Sequence, residues 1–217
     1  MLEHRFKLGP LLFEDDFRSG LRFWKRELEK GGLVEAKYGR LSIDVPAGAS
    51  VWLTTPLEGP LLIEYEATVM QKGGPNDRVS DLNCFWMASD SRNENDFFAV
   101  SRSGAFGDYD KLRTYYVGLG GNGNTTTRMR RYIGEKDNRP LRPEHDLKAQ
   151  ETLIVPNQSQ VIRLVANGSL IEFWRDETRL FEMKDAAPYR RGYFGFRTVA
   201  NHMQIRNFRV FRLLETP

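Results

Sequence analysis

Cysteine is almost missing: Cys84 is the only one in 217 residues. No intrachain disulfide can form, so cysteine usage says nothing about the compartment. Histidine is scarce as well, and His4, His145 and His202 stand too far apart to form a metal-ligand spacing. An excess of one charge is also lacking, with 32 basic against 29 acidic residues. No basic tract is long enough to suggest a nucleic-acid partner. No apolar run approaches the roughly 20 residues of a membrane span, which argues against a membrane partner. The opening MLEHRFKLGP has no apolar signal core, so any export signal is expected to have been removed or never to have existed. Capped helical periodicity is absent throughout. GLGGNGNTTTR is rich in glycine and threonine but lacks the GK[ST] of a phosphate loop.

What is present is strand. Hydrophobic content of 40 % and aromatic content of 12 % suffice for a sizeable core. GRLSIDVP (39–46) and ASVWLTTP (49–56) read as two strands, each stopped by proline. LLIEYEATVM (61–70) alternates, with Leu62, Glu64, Glu66 and Thr68 on one face and Ile63, Tyr65, Ala67 and Val69 on the other. DLNCFWMASD (81–90) and NDFFAVSRSG (95–104) follow, and GEKDNRPLRPEHDLKAQ (134–150) reads as a long loop. SQVIRLVA, Asn167-Gly168 and SLIEFWRD form a hairpin with a type I′ turn signature. TRLFEMKD, PYRRGYFGFRTV and MQIRNFRVFRL complete the set. The expectation is one all-β domain over residues 1–217, a sandwich of two antiparallel sheets.

Chemistry concentrates in RTYYVGLGGNGNTTTRMRRY, from Arg113 to Tyr132. It reads as strand, glycine-rich turn, strand. In a strand from Thr126 to Ile133, Arg128, Arg130 and Tyr132 share a face, with Thr127, Met129 and Arg131 on the other. Like charges side by side on a sheet repel, so a groove for an anionic or hydroxyl-rich ligand is one reading. The alternative is a solvated face whose arginines pair with carboxylates from neighbouring strands. Only one of the consecutive Tyr115 and Tyr116 can face such a groove. Cys84 and Trp86, in the apolar LNCFWMA, are expected in the core.

FEDDF…W, VIRLVANGSLIEFWRDETRLFEMKD, YRRGYFGFRT and the terminal IRNFRVFRL resemble the jelly roll of the concanavalin A-like lectins and glucanases. Within it, DLNCFWMA and GLGGNGNTTTRMRRY resemble the YesU-like group, with the keto-disaccharide hydrolase-like domains next. The resemblance covers most of the chain and implies a concanavalin A-like jelly roll acting on a polysaccharide, pectin-type acidic glycans included. It also implies a secreted or periplasmic location, with a cytoplasmic one left open. The glucanase signature E-x-D-x-x-E is absent, and Glu64-Tyr65-Glu66 is the nearest match.

Three functions follow from these residues. A polysaccharide lyase acting on a uronate by β-elimination needs a cation on the carboxylate, a base and an acid. Arg128 would be the catalytic cation and Tyr115, Tyr116 or His145 the proton-transfer groups. Asn122, Asn124, Arg130, Tyr132, Asn83, Glu64 and Glu66 would bind substrate. A glycoside hydrolase would instead use a carboxylate pair, Glu64 and Glu66 first. A carbohydrate-binding module would use the same aromatics and amides without catalysis. No cofactor is expected; DSRNEND (Asp90 to Asp96) could hold a structural calcium. Oligomeric state is left open.

Overall fold

The computed structural model describes residues 5–214. Alternating apolar residues build fourteen strands, all paired antiparallel. They are β1 (Lys7–Asp15), β2 (Trp24–Leu28), β3 (Leu33–Lys37), β4 (Arg40–Leu53), β5 (Leu57–Glu58), β6 (Leu61–Val69) and β7 (Leu82–Asp90). Then come β8 (Leu112–Gly120), β9 (Thr126–Ile133), β10 (Leu141–Leu147), β11 (Gln160–Asn167), β12 (Leu170–Arg175), β13 (Thr178–Lys184) and β14 (Arg191–Leu214). The fold is the expected all-β antiparallel jelly roll.

The 24-residue β14 is the strand that joins the two layers. Its first half pairs with β7 and with the second half of β4, Gly195 lying opposite both Phe85 and Trp52. Its second half pairs with β6, with the first half of β4, and with β1. The strand turns from one layer to the other near Ala200, whose φ of +44° lies in the left-handed region. The ladder to β4 slips there, between Val199 and Asn201. The extra residue lies in β4, where two residues, Pro46 and Ala47, oppose Ala200, and a bulge of this kind bends the pair and increases its twist. One layer thus runs β10-β9-β8-β7-β14, and the other β14-β6-β11-β12-β13.

The inward side chains of the two layers share one core. Cys84, Trp86, Val117 and Met129 from the first meet Ile162, Leu164, Phe173 and Phe181 from the second. Cys84 is fully buried, and burial pushes its thiol up to about 12.

Several expected boundaries are corrected. The two expected strands merge into one, β4, that passes through Pro46, because the bulge puts its extra residue in β4 at Pro46–Ala47, where no ladder donor is needed. PYRRGYFGFRTV and MQIRNFRVFRL are likewise one strand. The 134–150 loop contains the edge strand β10. Residues 95–104 form no strand. They belong to an irregular cover, residues 91–111, over the outer face of the first layer, where Phe97 and Tyr109 pack on Trp52 and Phe85. A buried polar network anchors this cover. Glu27 accepts from Arg102 Nε (3.0 Å), Tyr109 Oη (2.9 Å) and Trp52 Nε1 (2.9 Å). Arg102 Nη1 also donates to Asp90 Oδ2 at 3.0 Å.

Candidate functional site

The uncovered part of that outer face is a cleft of about 300 Å³ beside the β8–β9 turn. Antiparallel partners directly opposite one another project on the same side of a sheet, so the register predicts what lines it. One transverse row reads Ser50, Arg197, Asn83, Gly118, Arg128, Asp146, from β4 to β10. The adjacent row reads Trp52, Gly195, Phe85, Tyr116, Arg130, Leu141. The first is polar and the second largely aromatic. At roughly 4.8 Å per strand, Arg197 and Arg128 lie about 14 Å apart along the polar row.

Glycine matters at 118. A Cβ there would stand 3.2 Å from the Tyr116 hydroxyl, so the missing side chain leaves room for that ring to lie over the row. The turn that closes the cleft carries left-handed non-glycine residues, Asn122 (φ +55°) and Asn124 (φ +62°), and Asp81 (φ +57°) faces it. Backbone held in this region tends to gather at functional sites. Asp81 Oδ2 accepts from Ser80 Oγ at 2.7 Å and pairs with Arg78 Nη1 at 3.2 Å.

The sequence candidates divide between the cleft and other places. Tyr116, Asn83, Asn122, Arg128 and Arg130 line it. Arg128 grips Asp146 through Nε (2.8 Å) and Nη2 (3.2 Å), which holds the Asp146 carboxyl below its usual range. Arg130 donates to the Arg139 carbonyl. Burial draws Arg130 below the guanidinium norm, and the charges of Arg128 and Arg139 add to this. Asn122 Nδ2 donates to Thr126 Oγ1 at 3.0 Å. Burial keeps the Tyr116 hydroxyl well above the ordinary tyrosine value, so it stays protonated. Tyr132 shares the outer face but is fully buried under the cover, edge-on to Phe85 and tilted against Tyr116, which corrects the expectation that it binds substrate.

Four candidates lie elsewhere, and the expectation that they join one site is corrected. Tyr115 points inward, its hydroxyl donating to Asp185 Oδ2 at 2.7 Å. Alternation on β8 allows only Tyr116 the outer face. His145 is 2 % exposed between the layers, edge-on to Phe181, with Nε2 3.1 Å from the Glu182 carbonyl. Glu64 and Glu66 lie on the outer face of the opposite layer. Glu64 pairs there with Arg163 (2.6 Å) and Arg209 (2.5 Å), and Glu66 accepts from Asn207 Nδ2 (2.7 Å). Asn124 is a fifth departure: its side chain clamps the Ile154 backbone, donating to O (3.0 Å) and accepting from N (2.9 Å). For the calcium reading, Asp90 is already held by Arg92 and Arg102, and no three acidic, histidine or cysteine side chains converge among the described residues.

Arg197 is the principal residue missed. It is 1 % exposed and lines the cleft, packed under the rings of Phe106 (5.4 Å) and Tyr109 (5.0 Å). Nη1 donates to the Gly104 carbonyl, but Nε and Nη2 have no hydrogen-bond partner among the described residues. Asn83 Oδ1, opposite it, has none either. The available signal was a cation inside the apolar strand GYFGFRTV, where a buried charge demands a reason. Arg78, Asp81 and Phe106 also line the cleft without a prior sequence signal.

A family model described as a domain of unknown function, DUF6250, matches residues 43–208. No curated protein matches the chain. Among solved structures, a Bacillus subtilis protein of unknown function with a galectin-like fold superposes with a TM-score of 0.74 at 15 % identity, covering 97 % of this chain and 100 % of that one. The LamA catalytic domain from Zobellia galactanivorans gives 0.61 at 12 % identity, covering 94 % and 98 %. The carbohydrate-binding module CBM66 from Bacillus subtilis gives 0.54 at 11 %, covering 87 % and 95 %. These likenesses establish the jelly-roll fold, in line with the concanavalin A-like resemblance of the sequence.

Proposed function

The chain belongs to the DUF6250 family, and we propose that it is a carbohydrate-active protein whose cleft takes an acidic, uronate-bearing glycan. The charge imbalance of the cleft carries this reading. Among the described residues, four arginines line it (Arg78, Arg128, Arg130 and Arg197) against a single lining carboxylate, Asp81. Asp81 answers Arg78, and Asp146 answers Arg128 from behind. Arg130 and Arg197 have no carboxylate partner among the described residues. A guanidinium fork matches a carboxylate, and the ring of Tyr116 offers a face for a sugar. The shared fold with a sugar-binding module and with a catalytic domain solved elsewhere in complex with laminari-oligosaccharides supports a saccharide as the ligand. Such polymers are met outside the cytoplasm, and that is where we place its action.

β-Elimination is the reaction these groups suit. Arginine on the uronate carboxylate stabilises the charge that develops when the adjacent carbon loses its proton. Tyr116, kept neutral by burial, is the proton donor to the leaving oxygen. Asp81 is the carboxylate placed to take the proton. Hydrolysis by paired carboxylates fits less well, since two must flank the bond at about 5–9.5 Å and only Asp81 lines the cleft. Binding without catalysis is the second reading, favoured by the engagement of Asp81 with Arg78 and by the absence of histidine from the lining.

The test is a screen of acidic plant and algal polysaccharides, followed by ultraviolet absorbance and mass spectrometry. Unsaturated uronate ends establish elimination. New reducing ends without that absorbance mean hydrolysis, and binding without products leaves a recognition module. A protein that neither binds nor cleaves any acidic glycan, or prefers neutral ones, defeats the proposal.

A further inference from the structure

The cleft is closed at its β4 end, where the fold could have offered a through-groove. The polar row of the first layer crosses from Asp146 to Ser50, but only part of it is open. Gly104 packs on β4 so closely that a Cβ on Gly48 would meet the Gly104 carbonyl at 2.3 Å. Ser50, next in the row after Arg197, is fully buried. Phe106 and Tyr109 roof the Arg197 guanidinium, and Phe106 also stands 5.9 Å from the Tyr116 ring. The aromatic row beyond Tyr116 is filled by Phe97 and Tyr109 against Trp52 and Phe85. A polymer lying across the sheet would have to pass through this cover, which the buried Glu27–Arg102–Asp90 network anchors.

At the closed end sit two groups without a partner among the described residues, the Nε and Nη2 of Arg197 and the Oδ1 of Asn83, on residues 1 % and 3 % exposed. A buried cation with free N–H groups favours an oxyanion, and a buried free acceptor favours a hydroxyl. A uronic acid carries both. We infer that the cleft recognises the end of an acidic glycan chain, with the terminal sugar's carboxylate directed to Arg197 and a hydroxyl to Asn83, while the chain leaves past Gly118 and Arg128. This rests on the acidic-glycan reading above and specifies which part of the polymer is bound.

Stoichiometry tests it directly. Oligogalacturonates and polygalacturonate of defined lengths are titrated into the full chain by calorimetry and followed by sedimentation. End recognition predicts a fixed number of protein molecules per polysaccharide chain, whatever its length. A number that rises with chain length overturns the inference while leaving the acidic-glycan reading intact. Failure of every acidic glycan to bind overturns that reading, and this one with it. The residue-level test is Asn83→Asp. The new carboxylate stands opposite Arg197 as a counter-charge, and it also replaces the amide that donates to Asp81 Oδ1 at 3.3 Å, so in the folded variant affinity for the oligogalacturonates should fall at least tenfold. Unchanged affinity in a folded Asn83→Asp protein removes Arg197 as the anchor. Arg197→Lys, which keeps the charge and loses the fork, should also weaken binding at least tenfold, and wild-type affinity there has the same meaning.

Discussion

Asn83 on β7 stands directly opposite Arg197 on β14, and each keeps buried polar atoms without a partner among the described residues. Neighbours of this kind normally satisfy one another, because an unpaired buried donor or acceptor costs about 1–3 kcal/mol. A site left short of partners in its free form should gain stability when its ligand arrives. A bound acidic oligosaccharide at about 100 times its Kd should stabilise the fold by about 2.7 kcal/mol. Differential scanning fluorimetry with and without oligogalacturonate checks this, and a neutral oligosaccharide at the same concentration should give no shift.

Gly118 lies between the two arginines of the polar row, and its missing side chain is what Tyr116 occupies. Gly118→Val should displace the Tyr116 hydroxyl and fill the track. We expect affinity for acidic glycan to fall at least tenfold, about 1.4 kcal/mol, with a smaller loss of global stability. Isothermal titration beside a urea melt separates the two effects. Equal binding would show that the ligand does not pass over this position.

Tyr115 and Tyr116 are adjacent in sequence and opposite in role. Tyr115→Phe removes the hydroxyl that donates to Asp185 and accepts from the Tyr189 N–H at 3.1 Å, so it should cost about 1–3 kcal/mol of stability. Tyr116→Phe should leave the melting curve near wild type and remove most turnover if elimination is the reaction. Burial holds the Tyr116 proton, so its ionisation should contribute no limb to a pH–rate profile below about pH 10. A profile rising steeply through that range in wild type and flat in Tyr116→Phe would contradict its role as acid.

The face assignments on β6 and β9 and the Asn167-Gly168 hairpin were legible because period-two alternation and turn chemistry are local. Arg128 and Arg130 therefore share one face already in the sequence, whereas only the register of β8 against β9 shows that Tyr116, not Tyr115, joins them. Glu64 and Glu66 read as members of the same site because alternation fixes a face without saying which layer owns it. The partners of Glu64, Arg163 and Arg209, lie 99 and 145 residues away, and that of Glu66, Asn207, lies 141 away. His145 was misplaced for a related reason: the stretch containing it reads as a polar loop, yet β10 pairs with β9 and carries His145 between the layers. Arg197 escaped notice because only the register of β14 against β7 brings it beside Asn83.

Acid should weaken the cover over the outer face before it dissolves the core. Burial alone would raise Asp90, but hydrogen bonds from Arg92 and the charges of Arg92 and Arg102 outweigh it and hold the carboxyl below its usual range. A carboxyl with a depressed folded value adds stability that is fully present above its unfolded value near pH 3.9. That stability is lost as pH falls through the lower folded value. Asp185 behaves the same way: burial opposes, and Tyr115, Arg131 and the Ala187 N–H prevail. Stability should thus be flat from neutral pH down to about pH 4 and fall below it. Asp90→Asn should flatten that fall and cost about 3–5 kcal/mol at neutral pH, since Arg102, with a fully buried side chain, loses one of its two carboxylates. Because Asp90 and Arg102 anchor the segment that roofs Arg197, the same variant should lose acidic-glycan affinity in parallel. Urea melts from neutral pH to about pH 3, with binding measured on the folded fraction, test both. A variant that loses stability but binds as wild type would separate the cover from the cleft.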